Sequence, residues 1–122
     1  MHEHDITQRL LDQALQEGQK AEAQEIACVH IHLGEISSFS EQSIRFYWST
    51  LSAGTMAEGA DLVFHREAGC YFCRDCEHTF PSWCLEATCP RCGSMALEAI
   101  SGQKTYLEAL DIVPRDEYAS VL

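Results

Sequence analysis

Positive charge is scarce in this chain of 122 residues. Eight Lys and Arg stand against nineteen Asp and Glu, a net charge of −11. That is the wrong sign for a surface that grips nucleic-acid phosphates. Also missing is any apolar run of the roughly eighteen or more residues that a membrane helix needs. The opening residues His2-Glu3-His4-Asp5 are polar where a secretory signal would be basic and then apolar. A cytoplasmic protein that touches neither membrane nor nucleic acid is expected. There is no glycine-rich phosphate loop and no nucleophile beside a base, so no enzymatic activity is expected either. Internal repeats and low-complexity stretches are lacking as well.

Cysteine, by contrast, is concentrated: six of the seven fall between residues 70 and 93. Two Cys-x-x-Cys pairs, Cys73/Cys76 and Cys89/Cys92, are separated by twelve residues, the signature of a tetrathiolate zinc site. Each pair can turn both sulfurs to one side of a tight knuckle, and two facing knuckles offer the soft tetrahedron that zinc prefers. Cys70 precedes Cys73 by the same spacing, so either adjacent pair of Cys70, Cys73 and Cys76 could ligate. Cys73/Cys76 is preferred because Cys76 leads into a Glu77-His78-Thr79-Phe80 turn as Cys92 leads into Gly93. Cys70 and Cys84 are then spare and expected to act as small apolar side chains. An odd cysteine total argues against a disulfide framework. Arg74 and Arg91 are the segment's only cations against Asp75, Glu77 and Glu86, which again disfavours phosphate binding. So short a segment buries little core, and structural zinc, worth on the order of 10–16 kcal/mol in small peptides, must hold it together.

Along the chain, Ile6, Leu10, Leu11, Ala14 and Leu15 are spaced for a helix over residues 5–17, with Asp5 as N-cap and Gln8 as its capping-box partner. Met1 to His4 are left as a free arm. Residues 25–33 alternate as a strand, Ala27, Val29, Ile31 and Leu33 facing one way and Cys28, His30 and His32 the other. That second set resembles a metal site, but it has no visible third partner and is expected to be a polar outer face. Ser38 and Glu41 form a capping box ahead of the helical stripe Ile44, Tyr47, Trp48 and Leu51, which ends near Gly54. Strands are expected over residues 60–65, 96–100 and 105–113, Pro114 ending the last one and a frayed tail following it. The fold class is therefore α+β: two helices on a three-stranded sheet (1–66 plus 101–122), with a zinc-ribbon-like domain inserted at 67–100. An acidic surface with a free sheet edge permits a homodimer without requiring one.

Several short stretches occur in a distinctive order: Met1-His2-Glu3, Leu33-Gly34-Glu35-Ile36-Ser37, Gly54-Thr55 to Glu58-Gly59-Ala60, Cys73-Arg74-Asp75-Cys76, Cys89-Pro90-Arg91-Cys92-Gly93-Ser94 and Ile100-Ser101-Gly102. Together they resemble the HypA/HybF family of hydrogenase nickel-insertion accessory proteins over nearly the whole chain. The resemblance implies a nickel metallochaperone whose α/β domain holds nickel through the amino terminus, with a separate structural zinc domain. Carried onto this sequence, it makes His2 the principal nickel ligand, helped by the Met1 amine and nearby backbone nitrogens, with Glu3 tuning the site. Cys73, Cys76, Cys89 and Cys92 take the zinc. The implied partners are the GTPase HypB and the nickel-free precursor of a [NiFe]-hydrogenase large subunit.

Two positions depart from the family pattern. His4 stands where the family usually has an apolar residue and adds a donor to the arm, and Glu77 stands where it often has Gly, which implies strain or a different turn. The chemistry of the arm agrees with the resemblance: an amine, an imidazole at the second residue and the amides between them form fused chelate rings, a nitrogen field suited to nickel(II) or copper(II). The rival readings are a zinc-ribbon adaptor that binds protein partners without nickel, and a thiol redox enzyme. The lack of a thioredoxin-like βαβ context disfavours the latter.

Overall fold

The computed structural model describes residues 2–85 and 87–115. The elements run α1 (His2–Lys20), β1 (Ala23–Gly34), α2 (Glu41–Leu51), β2 (Asp61–Glu67), β3 (Cys70–Cys73), β4 (Thr79–Pro81), a 3-10 turn (Ser82–Cys84), β5 (Leu97–Ser101) and β6 (Thr105–Pro114). They build two three-stranded sheets, one ordered β2-β1-β6 and the other β4-β3-β5. The expected α+β class, two helices with a three-stranded sheet plus a small cysteine-bearing sheet, is what the chain adopts.

Two compact units emerge: Met1–Ile31 with Phe39–Phe64 and Tyr106–Leu122, and His32–Ser38 with His65–Thr105. In the first, α1 buries Ile6, Thr7, Leu10, Leu11, Ala14 and Gly18, the one-sided stripe of an amphipathic helix. Helix α2 answers with Ile44 and Trp48. Gly18 permits a close approach: a Cβ there would lie 2.7 Å from the Met56 sulfur and 3.2 Å from Ile26 Cδ1.

Helix α1 begins at His2 rather than at Asp5. The expected free arm is therefore, from His2 on, the first helical turn, and Gln8 bonds forward to Asp12 (2.9 Å) instead of closing a capping box. The Thr7 hydroxyl donates back to the Glu3 carbonyl, which ties that turn to the helix. The second cap also differs, since Ser40 rather than Ser38 accepts from the Ser43 N–H (3.1 Å) and Ser52, not Gly54, ends α2. In β1 the burial parity changes: Ala23 and Ile26 are buried, then Val29, Ile31 and Leu33, so Ala27 is exposed rather than part of the core face. The tail expected after Pro114 lies, from residue 116, outside the described residues.

In the second unit three glycines meet. A Cβ on Gly34 would stand 2.1 Å from the Gly102 carbonyl oxygen, and one on Gly102 2.6 Å from Gly69 Cα. Only residues without side chains allow this approach, and the junction is closed by Ile36 N–H to Gly102 O (2.8 Å), Gly34 N–H to Lys104 O (2.8 Å) and Gly102 N–H to the Glu67 carboxylate (2.8 Å).

Candidate metal centre

Strand β3 is the middle of the smaller sheet. It pairs antiparallel with β4 and with β5, with an irregularity between Cys70 and Tyr71. Its last residue, Cys73, opens the first knuckle, in which Cys73 N–H bonds to His78 O (2.9 Å) and Glu77 N–H bonds back to Cys73 O (2.8 Å). The second knuckle repeats this pattern atom for atom: Cys89 N–H to Ser94 O and Gly93 N–H to Cys89 O, both 2.8 Å. Each turn needs a left-handed residue just after its second cysteine, Glu77 at φ 60° and Gly93 at φ 77°. The strain expected at Glu77 is thus a positive φ on a residue with a side chain.

The knuckles are also linked to each other. Ser94 Oγ donates to the Asp75 carboxylate, Arg74 N–H bonds to Ala96 O (2.9 Å), and Arg74 pairs with Glu98 on β5 (3.4 Å). As a result the sulfurs of Cys73, Cys76, Cys89 and Cys92 all lie within 4.8 Å of one another. Cys73 and Cys92 are 3.5 Å apart, and Cys76 and Cys89 are 3.7 Å apart. These separations are close to the roughly 3.8 Å edge of a tetrahedron with metal–sulfur bonds of about 2.3 Å. Cys73, Cys89 and Phe80 form the buried centre of this unit, against which Tyr71, Cys84, Leu85 and Leu97 pack. Cys84 is there as an apolar side chain, and Cys70, half-buried on β3, is not one of the four clustered sulfurs.

The four thiols hold their protons unequally. Desolvation pushes Cys89 up, but the N–H groups of Cys92 and Arg91 and the adjacent sulfurs outweigh it and bring that thiol down to about 7; the Arg91 N–H lies 3.4 Å from the sulfur. The N–H groups of Cys76 and Asp75 lower Cys73 in the same way, against desolvation. Desolvation raises Cys76. At Cys92 the Ser94 N–H pulls downward, yet desolvation and the three neighbouring sulfurs push the thiol up to about 12. In the metal-free cluster the leading cysteine of each knuckle is thus the readier thiolate, while the second retains a proton that a bound cation would displace.

Of the residues expected at the amino-terminal nickel site, His2, Glu3 and His4 are on α1. His2 is the helix's first residue, Glu3 is half-buried, and Glu3 and Asp5 are the acids of its first turn. Met1 lies outside the described residues. His4 sits edge-on to the Tyr47 ring of α2, centroids 5.4 Å apart, with its Nδ1 3.7 Å from Asp5.

On β1 the expectation of an outer face without a third partner is corrected. Asp111 of β6 places Oδ2 2.9 Å from His30 Nε2, and the ligating atoms of Cys28, His30 and Asp111 fall within 4.8 Å of one another. His32 is engaged elsewhere, 3.5 Å from the Glu67 carboxylate. Asp111 was not legible as their neighbour because strand order, not sequence spacing, brings β6 beside β1.

Comparison with known proteins agrees with the resemblance. The family model described as hydrogenase/urease nickel incorporation, metallochaperone, hypA matches residues 1–112. A hydrogenase maturation factor HypA from Dehalococcoides mccartyi is 35% identical over 112 residues, covering 92% of this chain and 94% of the relative. One from Caldanaerobacter subterraneus is 31% identical over 113 residues, covering 92% and 99%. The fold is shared with the solution structure of the Ni metallochaperone HypA from Helicobacter pylori, at a TM-score of 0.65 and 22% identity over 93% of this chain and 98% of that one. With the family model running from the amino terminus through both cysteine knuckles, the chain belongs to the HypA family of hydrogenase maturation factors.

Proposed function

We propose that this chain is a cytoplasmic, non-enzymatic nickel metallochaperone that delivers nickel to the precursor of a [NiFe]-hydrogenase large subunit, working with the GTPase HypB. Residues 1–66 and 101–122 are its nickel-binding domain, and 67–100 the zinc domain. Zinc is held by Cys73, Cys76, Cys89 and Cys92 and is structural: four soft donors close a tetrahedron and leave no position for substrate. Nickel is carried by the Met1 amine, His2 and backbone nitrogens, tuned by Glu3, with His4 as an additional donor.

The family match that begins at residue 1 carries this reading, and the start of α1 supports it. A helix that begins at His2 leaves the N–H groups of its first turn without intrahelical acceptors. Those nitrogens can be given to a metal without breaking interior helix bonds. The positive end of the helix dipole opposes a cation by roughly 0.3–1 kcal/mol. Glu3 and Asp5 in the same turn offset a penalty of that size. Among the described residues no helix is long and apolar enough to cross a membrane.

The test is transfer. Nickel-loaded protein is mixed with the nickel-free hydrogenase precursor, with and without HypB, and nickel in the precursor is counted. Transfer that exceeds the rate from free nickel at the same concentration is expected. A protein that carries zinc alone and transfers nothing would instead be the zinc-ribbon adaptor.

A further inference from the structure

Cys28 and His30 stand two residues apart on β1, so the strand period turns both side chains to one face. The neighbouring β6 brings Asp111 to the same place, with its carboxylate 2.9 Å from His30 Nε2. The three ligating atoms lie within 4.8 Å of one another, and Cys28 and His30 are half-buried while Asp111 is exposed. A sulfur, a nitrogen and an oxygen donor thus converge from two hydrogen-bonded strands, a more rigid support than loops provide.

We propose that Cys28, His30 and Asp111 form an additional, solvent-accessible site for a divalent transition metal that accepts tetrahedral coordination, of the zinc(II) and cobalt(II) class. Three arguments carry it. The first is fit: bond lengths of about 2.0–2.3 Å give tetrahedral edges of about 3.3–3.6 Å. The His30–Asp111 contact would open from 2.9 Å by a few tenths of an ångström, and the Cys28 sulfur, within 4.8 Å of both partner atoms, would close to about 3.6 Å. The second is donor type. A mixed thiolate, imidazole and carboxylate set suits borderline cations, whereas calcium and magnesium require all-oxygen shells.

The third is charge. The Asp111 carboxylate lies within 4.8 Å of the Cys28 sulfur and the His30 ring nitrogen, and its negative charge attracts a cation. When the metal displaces the thiol proton, thiolate and carboxylate together balance its two charges. Three protein ligands leave one coordination position for water or another ligand, so the site exchanges its metal where the four-cysteine site does not. The simpler role for these residues is a cross-strand His–Asp ion pair only.

Cobalt(II) separates the two. The full chain, zinc-loaded at its four-cysteine cluster and carrying His2→Ala, is titrated with cobalt(II) while released zinc is monitored. The expected result is a near-ultraviolet sulfur-to-cobalt charge-transfer band that saturates at one added equivalent without zinc release. Cys28→Ser should abolish it, and Asp111→Asn should weaken binding at least about tenfold, since even an outer-shell partner of a metal ligand is worth that much. A band that persists in Cys28→Ser, or no band in the parent, overturns the proposal in favour of the ion pair. If Cys28→Ser does not fold, unchanged cobalt affinity in Asp111→Asn, a surface change, overturns it equally. Because His2 is absent throughout, neither result bears on nickel carriage by the amino terminus.

Discussion

Glu77 and Gly93 occupy the same place in two copies of one turn: each donates its N–H to the carbonyl of the cysteine four residues earlier, at 2.8 Å, and each has a positive φ. A Cβ on Gly93 would meet nothing within 4 Å. Gly93→Ala therefore tests backbone strain alone. We expect a loss of about 1 kcal/mol, or roughly fivefold weaker zinc retention against a competing chelator. Glu77→Gly should shift retention the other way by a smaller amount, because the entropy of the unfolded glycine offsets part of the gain. Equal retention in both variants and the parent would show that the turns do not require left-handed residues.

The four clustered thiols should bind about one zinc per chain. Cys73→Ala/Cys89→Ala should be isolated without zinc and with the smaller sheet melted, while Cys70→Ala should keep its metal. Full zinc content in the double variant would contradict this ligand set, and loss of zinc in Cys70→Ala would move the site to the other register. Binding must displace protons, above all from Cys92, whose thiol is pushed up to about 12. Apparent zinc affinity of the stripped protein should therefore weaken as pH falls, with proton release measurable by calorimetry in buffers of different ionisation enthalpy.

How much of this was legible in the sequence depended on range. The helices were readable because Ile6, Leu10, Leu11 and Ala14, like Ile44 and Trp48, repeat at the helical period, and all are buried. The start of α1 was misread because Asp5 and Gln8 imitate a capping box, whereas Thr7 bonds to Glu3 and carries the helix back to His2. The knuckles could be read from their spacing. Strands β3 and β4 could not, since Tyr71, Phe72 and Phe80 are too few to show a period and gain strand geometry only by pairing. Gly34 and Gly102 were visible only as parts of a familiar order; their physical reason, backbones that approach too closely for a Cβ, is a tertiary fact.

Gly34 accordingly gives a sharp stability test. An added methyl would lie 2.1 Å from the Gly102 carbonyl oxygen, and backbone cannot yield as a flexible side chain does. Gly34→Ala should destabilise the protein by about 3 kcal/mol in denaturant titration. Ser38→Ala, on an exposed residue of the same segment, should fall within about 0.5 kcal/mol of the parent. A Gly34→Ala protein as stable as the parent would contradict the packed junction.

Glu67 links that junction to pH. The Gly102 N–H and, after it, His32 hold its carboxyl below the ordinary value of 4.5. A carboxylate whose pKa is lowered by folding stabilises the native state above its unfolded pKa, and loses that contribution as pH falls through the folded value. Glu67→Gln, which mimics the protonated acid, should be less stable than the parent at pH 7. The gap should close as pH drops below 4.5. A gap that stays constant down to pH 3 would mean that the carboxylate charge is not what the Gly102 N–H recognises.

The central claim is that nickel is carried by the amino terminus, and nickel titration of zinc-loaded protein tests it most directly. An unperturbed amine titrates near about 7.7–8.0 and an imidazole near about 6.5, and both must lose protons to ligate. Affinity should therefore fall steeply below neutrality while zinc stays bound. At pH 7.5 the parent should take up one nickel per chain. His2→Ala, or a tag fused directly ahead of Met1, should abolish that stoichiometric binding with zinc content and fold intact, and His4→Ala should weaken it less. One nickel per chain at parental affinity in a protein with a blocked amine and no His2 would contradict the account.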